Sequence, residues 1–218
     1  MRNTLRRILN NLRRPMPDLL AYLSDKFWSA LWMRSIAKVG RGFHVSSGAK
    51  IQGGQFISIG DGFVAGQMLW IEAVQEWAGV QYEPIIEIGK HVTCSQSVHI
   101  AANTLVTIGD GVMFGSRIHV TDHGHGVYRG NEQDRPDLRP TLRRLAPGRP
   151  VRIERNVWLG DGVMVLPGVK IGEGTIVGAN SVVSRDLPSG VIAVGSPAIP
   201  IKRYDPITEH WIPIIDSK

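Results

Sequence analysis

Cysteine is almost absent from this chain. Among 218 residues Cys94 stands alone, which excludes an internal disulfide framework and a clustered-thiol metal site. A reducing compartment fits that count. Aromatic residues make up 7%, and no zinc-finger spacing or aromatic-rich basic module goes with them. The net charge of +6 and pI of about 9.8 invite acidic partners, but nucleic acid is the weakest of these and none is expected. Apolar runs long enough to span a bilayer are missing. The N-terminal apolar stretch is broken by Arg and Pro, which is not the shape of a signal peptide.

Glycine, by contrast, is plentiful at 25 residues, as suits a chain that turns every few positions. The turns have a period. Ile153, Leu159, Val165, Ile171, Val177 and Val183 fall six apart without a slip. Gly160, Gly172 and Gly178 directly follow three of them, and Val157, Val163 and Val169 form a second series at the same spacing. Six is neither the helical 3.6 nor simply the 2 of an isolated strand. It is the repeat of a coil of short strands and turns that sends one aliphatic residue inward from each side.

Earlier hexads are Val39, Val45 and Ile51, then Ile59, Ala65 and Ile71, then Ile88, Cys94 and Ile100, then Ile108, Phe114 and Val120. Cys94 sits on this grid, so it reads as a buried apolar side chain and not a nucleophile. Residues 72–84 are looser and should bulge from a corner. The repeat vanishes between Val120 and Val151, where a Gly-, Pro- and Arg-rich segment of this length is usually functional.

The first 38 residues differ from the rest. Leu5, Ile8, Leu9 and Leu12 make one helical face among Arg2, Arg6, Arg7, Arg13 and Arg14. Pro15 and Pro17 break that segment. A second helical pattern then runs over 18–37, and it reads as a cap on the open end of the solenoid. Residues 1–14 can join such a cap or lie on an anionic membrane surface. The resulting division is a helical cap or membrane-surface segment over 1–38, a coil domain over 39–186 with an excursion at 121–150, and an extended tail over 187–218.

The chemically loaded piece is Asp122-His123-Gly124-His125-Gly126. Histidine titrates near neutrality and can take and return a proton. Two histidines one residue apart can instead share a metal, or both can be solvated loop residues. The residues alone leave these open.

The hexads, the DHGHG loop and the run RPVRIERNVWLGDGVMVLPGVKIGEGTIVGANSVVSRDLPSGVIAVGSPA together resemble the hexapeptide-repeat acyltransferases. Within these the chain is most similar to the O-acetyltransferases of bacterial surface polysaccharides and the maltose, galactoside and nodulation-factor group. The resemblance covers roughly residues 85–205. It implies a mainly β fold, a left-handed parallel β-helix, with an N-terminal helical segment and a long excursion loop. It also implies a homotrimer with active sites between subunits and acetyl-CoA as acyl donor, with no metal. The activity implied is transfer of acetyl to a glycan hydroxyl, by a cytoplasmic enzyme at or near the inner face of the membrane. A loop histidine would be the general base, with His125 the first choice and His123 the second. Trp158 would pack beside the loop at the subunit contact, and Asn103 falls near an acceptor-binding position. The aspartate that the galactoside type carries there is missing. Gly160, Gly178, Ala179 and Ser181 would line the pantetheine, and Arg185, Lys202 and Arg203 would meet CoA phosphate.

Two other classes compete. A metal enzyme like the γ-type carbonic anhydrases would draw on His91, His99, His119, His123 and His125, though their spacing does not match that family's ligands. A non-catalytic β-helix scaffold would need no loop of this kind.

Overall fold

The computed structural model describes residues 15–214. The arginine-rich helical pattern expected over residues 1–14 lies outside them. The described chain is a triangular prism. Three parallel sheets form its faces, and each coil adds one short strand to each face. The first face stacks Lys38–Val39, Ile57–Ile59, Ile85–Ile88, Leu105–Ile108, Val151–Ile153 and Lys170–Ile171. The second stacks His44–Val45, Val64–Ala65, Thr93–Cys94, Met113–Phe114, Trp158–Leu159 and Ile176–Val177. On the third lie Lys50–Gln52, Trp70–Ala73, His99–Ala102, His119–Thr121, Met164–Val165 and Val182–Val183.

The hexads set this register. Ile108 pairs with Ile153 and Ile153 with Ile171, Phe114 with Leu159, and Val120 with Val165. Like side chains therefore stack in columns along the prism axis. The second series fills the corners from within: Val157, Val163 and Val169 are buried, and Thr175 and Ser181 continue the series at zero exposure. Cys94 is buried as expected, and burial pushes its thiol up, away from thiolate formation. Where Gly-Asp follows a column residue, each half has its own task. A side chain on Gly109 would put a Cβ 2.5 Å from the backbone nitrogen of Arg155. Asp110 turns its carboxylate to accept the Lys90 N–H of the coil below at 2.6 Å, and Asp161 does the same for Ser116 at 2.7 Å.

Helix α1 (Met16–Ser35) starts two residues earlier than its sequence pattern, because Pro17 is tolerated in a first turn whose N–H groups have no helical partner. Its inner side bonds to the first coil. His44–Val45 is the edge strand of the second face. The Ser29 hydroxyl accepts the Val45 N–H at 3.0 Å and donates to the Val45 carbonyl at 3.1 Å. Asp25 accepts the Ser47 N–H at 2.8 Å.

The far end departs from the expected extended tail. Leu187 bridges to Ile171, and Val191–Val194 adds a seventh strand to the second face. Leu187 and Ala193 are buried and six apart, so the repeat resumes after a four-residue step from Val183 that the prolines disguise. Ile199–Asp205 and His210–Pro213 then pair antiparallel onto that strand and close the sheet.

Candidate active site

The excursion leaves the prism at the corner after the third face, in the fourth coil. Its first residue there, Asp122, is fully buried. One carboxylate oxygen accepts the Asn103 N–H at 2.9 Å, and the other accepts Thr104 N–H at 2.9 Å and Leu105 N–H at 2.7 Å. These are the amides of the same corner one coil below, and they supply the hydrogen bonds that a buried carboxylate needs. The carboxylate also lies 2.7 Å from His123 Nδ1. A carboxylate already receiving three N–H donors can only accept. In the neutral ring the proton therefore sits on Nδ1, which leaves the lone pair on Nε2.

His123 lines a cavity of about 520 Å³ together with Gly124, His125, Tyr128, Ala146, Arg149, Leu166 and Ser184. Leu166 and Ser184 are the first residues past the third-face strands of the fifth and sixth coils. The cavity therefore runs up one corner of the prism from the loop to the late coils.

His125 is placed differently. It forms an antiparallel bridge with Leu145, and its ring meets Trp77 edge-on at 4.7 Å between centroids. No carboxylate among the described residues holds it. Trp77 comes from the bulge expected at 72–84, which is a hairpin of Glu76–Trp77 and Val80–Gln81. Its indole N–H donates to the Arg143 carbonyl at 3.0 Å, and the Tyr82 hydroxyl accepts the Leu145 N–H at 3.1 Å. Sequence reasoning gave Trp77 and Tyr82 no role; their signal was Ala78-Gly79 between two short strands, a two-residue hairpin turn with both residues at positive φ.

The remaining predicted residues divide. Asn103 is buried, and its amide donates to the Ala146 carbonyl at 3.1 Å. It pins the returning loop and has no free face for an acceptor. Gly148 passes so close that a Cβ there would lie 2.3 Å from the Asn103 side-chain oxygen. Ser181 is also buried, with its hydroxyl accepting the Gly195 N–H at 3.0 Å, so its side chain is closed to a cofactor. Gly160 and Gly178 give their N–H groups to the Val177 and Ala193 carbonyls within the stack. With exposed Ala179 they occupy the corner after the second face, not the corner of the His123 cavity. Arg185 directly follows cavity-lining Ser184, is exposed and forms no ion pair among the described residues. Lys202 and Arg203 lie exposed on the antiparallel strand beside Ile192 and Val191. Trp158 stands outward on the second face, 47% exposed, between Met113 and Ile176.

Behind the site, His119 Nδ1 lies 3.2 Å from His99 Nδ1, and the His99 ring stacks on Trp70 at 4.1 Å. Burial first, then the neighbouring His99 and His123, brings the His119 pKa down to about 4. Among the described residues, no three His, Cys, Asp or Glu side chains are placed to share a metal ion.

A family model described as bacterial transferase hexapeptide (six repeats) matches residues 150–185. Over those residues the chain carries the hexapeptide repeat of that model, within a parallel β-helix. It is 40% identical over 100 residues to a putative lipopolysaccharide biosynthesis O-acetyl transferase, WbbJ, of Escherichia coli K12, covering 45% of this chain and 50% of that protein. It is 43% identical over 91 residues to a galactoside O-acetyltransferase of Lactococcus lactis, covering 42% and 39%. The chain thus spans half or less of the length of these curated relatives. Two solved structures share the left-handed fold. One is a point mutant of the N-acyltransferase AntD of Bacillus cereus, with dTDP and coenzyme A (TM-score 0.61, 21% identity, covering 80% of this chain and 88% of that one). The other is a galactoside acetyltransferase with coenzyme A (TM-score 0.54, 24% identity, covering 86% and 76%).

Proposed function

We propose that this protein is an acetyl-CoA-dependent O-acetyltransferase that modifies a sugar hydroxyl of a surface polysaccharide or its precursor. The observation that carries the reading is the Asp122–His123 pair, a buried carboxylate 2.7 Å from the ring of a cavity-lining histidine. An alcohol is a poor nucleophile until its proton has somewhere to go. His123 Nε2 accepts that proton as the acceptor oxygen bonds to the acetyl carbonyl, and returns it to the departing CoA sulfur. Asp122 holds the ring in the tautomer that does this and stabilises the transient imidazolium. Acetyl-CoA supplies a thioester whose thiolate leaves readily. The geometry thus favours His123 over His125, which packs on Trp77 and supports the loop.

The site reads as shared between subunits of a homotrimer. Gly160, Gly178 and Ala179 lie on another corner of the prism from the His123 cavity, so in one chain the two halves do not meet. In a closed three-fold ring, one subunit's second corner can face its neighbour's third. The outward column of the second face suits such a contact, since Val64, Met113 and Trp158 are 40–48% exposed and in register through Thr93. The first face turns out Ser58, Glu87, Thr107, Arg152 and Lys170. A cytoplasmic location supplies acetyl-CoA.

The test is thiol release from acetyl-CoA across free, nucleotide-linked and lipid-linked sugars, with His123→Ala as control. Acceptor-dependent release that the variant loses is expected. Release from no acceptor, or unchanged release by the variant, would overturn the assignment. Full activity from a sedimentation-defined monomer would overturn the shared site.

A further inference from the structure

Helix α1 is mounted with its apolar side out. The seam that faces the prism is Tyr22, Asp25, Ser29 and Trp32, continued by Ile36 just past the helix; it grips through the Ser29 and Asp25 bonds to the first coil and through Trp32 and Ile36 packed on the core. The opposite seam carries Met16 (72% exposed), Leu20 (62%), Leu23 (54%), Phe27 (60%) and Leu31 (38%), at alternating three- and four-residue steps or near them. Trp28 packs edge-on against Phe27 beside this seam and is itself 44% exposed. A cap needs one apolar or hydrogen-bonded face toward the coils and a polar face toward water. Here the water side is the greasy side.

Contiguous exposed apolar surface of this kind marks a contact, and the neighbouring charge says with what. The fourteen residues that lead into α1 hold five arginines and no acidic residue. An apolar helical stripe continuous in sequence with a cationic segment suits the headgroup boundary of an anionic bilayer, which takes both. Position argues against the commonest rival, a second copy of this chain. Ser29 and Asp25 bind the free edge of the first coil, so the exposed seam looks out along the prism axis. Subunits packed side by side through the second face leave that end uncovered. We infer that α1 lies on the surface of a membrane containing anionic lipid, with Leu20, Leu23, Phe27 and Trp28 sunk into the headgroup layer and the prism standing off it. This holds whether or not the chain transfers acetyl groups. The helix does not span, since no described helix is long and apolar enough to cross.

The experiment is co-sedimentation of the full chain with vesicles of phosphatidylcholine alone or with one quarter phosphatidylglycerol. The parent should pellet with the anionic vesicles and far less with the neutral ones. Leu23→Glu/Phe27→Glu should bind at least tenfold more weakly with unchanged melting temperature, since both side chains are exposed. Phe27→Ser serves as the milder variant should the double one fold poorly. Arg13→Gln/Arg14→Gln should weaken binding to anionic vesicles and leave the remainder less sensitive to salt. A parent that stays in the supernatant, or a seam variant that pellets like the parent, overturns the inference. So does a lipid-free parent assembly that the seam variants dissolve in sedimentation velocity, because a second copy would then cover the face.

Discussion

The coil body and the excursion at 122–150 are held together by different physics. In the coils each residue of the inward columns meets its like one coil away, and burial of repeated aliphatic side chains does the holding. The excursion has one buried aliphatic anchor, Leu145. Its other anchors are polar and point back to the prism: Asp122 to three amides, Asn103 to the Ala146 carbonyl, Trp77 to the Arg143 carbonyl and Tyr82 to the Leu145 N–H. Apolar columns tolerate slack because the hydrophobic effect has no direction. Hydrogen bonds have direction and fix a ring to within a few tenths of an ångström. A reacting group belongs on the second kind of support, and a rigid frame belongs on the first.

This contrast predicts a clean separation of effects. His123→Ala removes the proposed base without touching a column. Turnover should fall about 100- to 10,000-fold, roughly 3 to 5 kcal/mol in the barrier, with the melting temperature near the parent's. Phe114→Ala should do the opposite. Phe114 is fully buried between Cys94 and Leu159, so the cavity left behind should cost about 3 to 5 kcal/mol of stability. A rate assay and a urea titration on both variants decide it. The division fails if His123→Ala unfolds the protein or Phe114→Ala leaves its urea midpoint unmoved.

Asp122→Asn joins the two regions. The new amide brings donors toward amides that already donate, leaving buried groups unpaired at about 1 to 3 kcal/mol. It also frees His123 to adopt the other tautomer. Loss in both stability and rate is expected, with the rate loss below that of His123→Ala. Retention of full turnover would show that the carboxylate only shapes the corner.

His125→Ala should cost tenfold or less, through looser packing on Trp77. Should this variant be the inactive one, the base and the support have been exchanged. The same comparison explains what could be read from the chain. The hexad residues from Val39 to Val183 were legible, because an apolar period survives any loop between its members; the inward column of Ile57, Ile86, Val106 and Val151 was not, because it lies two residues before that series on the longer strands of the first face. The DHGHG loop stood out by its residues and by the gap in the period. The roles within it did not, because Asp122 acts on Asn103, Thr104 and Leu105, and Trp77 acts across sixty-six positions on Arg143. Contacts of that kind leave no spacing to count. Leu187 and Ala193 were hidden by a single four-residue step.

The smallest effect is one of pH, and it tests whether the third face behaves as coil or as site. His119 faces outward on that face, with His99 on one side, Met164 on the other and His123 nearby. Its folded pKa is about 4, against an ordinary value of 6.5. Above pH 6.5 the ring is neutral folded or unfolded and stability does not depend on it. As pH falls from 6.5 toward 4 the unfolded chain takes up a proton that the folded ring refuses, so stability declines across that window and levels off below it. Exposure of part of the ring to solvent limits the size of the decline. His44, whose pKa burial also lowers, slopes the same way, so the informative quantity is the difference between the parent and His119→Gln. Urea midpoints at pH 7.5, 6, 5 and 4.5 should fall less steeply with pH in the variant. Parallel curves would mean that His119 takes its proton in the folded state near pH 6.5. A neutral His119 also matters to the chemistry proposed for its neighbour. A second cation beside His123 would oppose the imidazolium that forms when the acceptor hydroxyl gives up its proton, and a ring that stays neutral above about pH 4 avoids that repulsion across the working range.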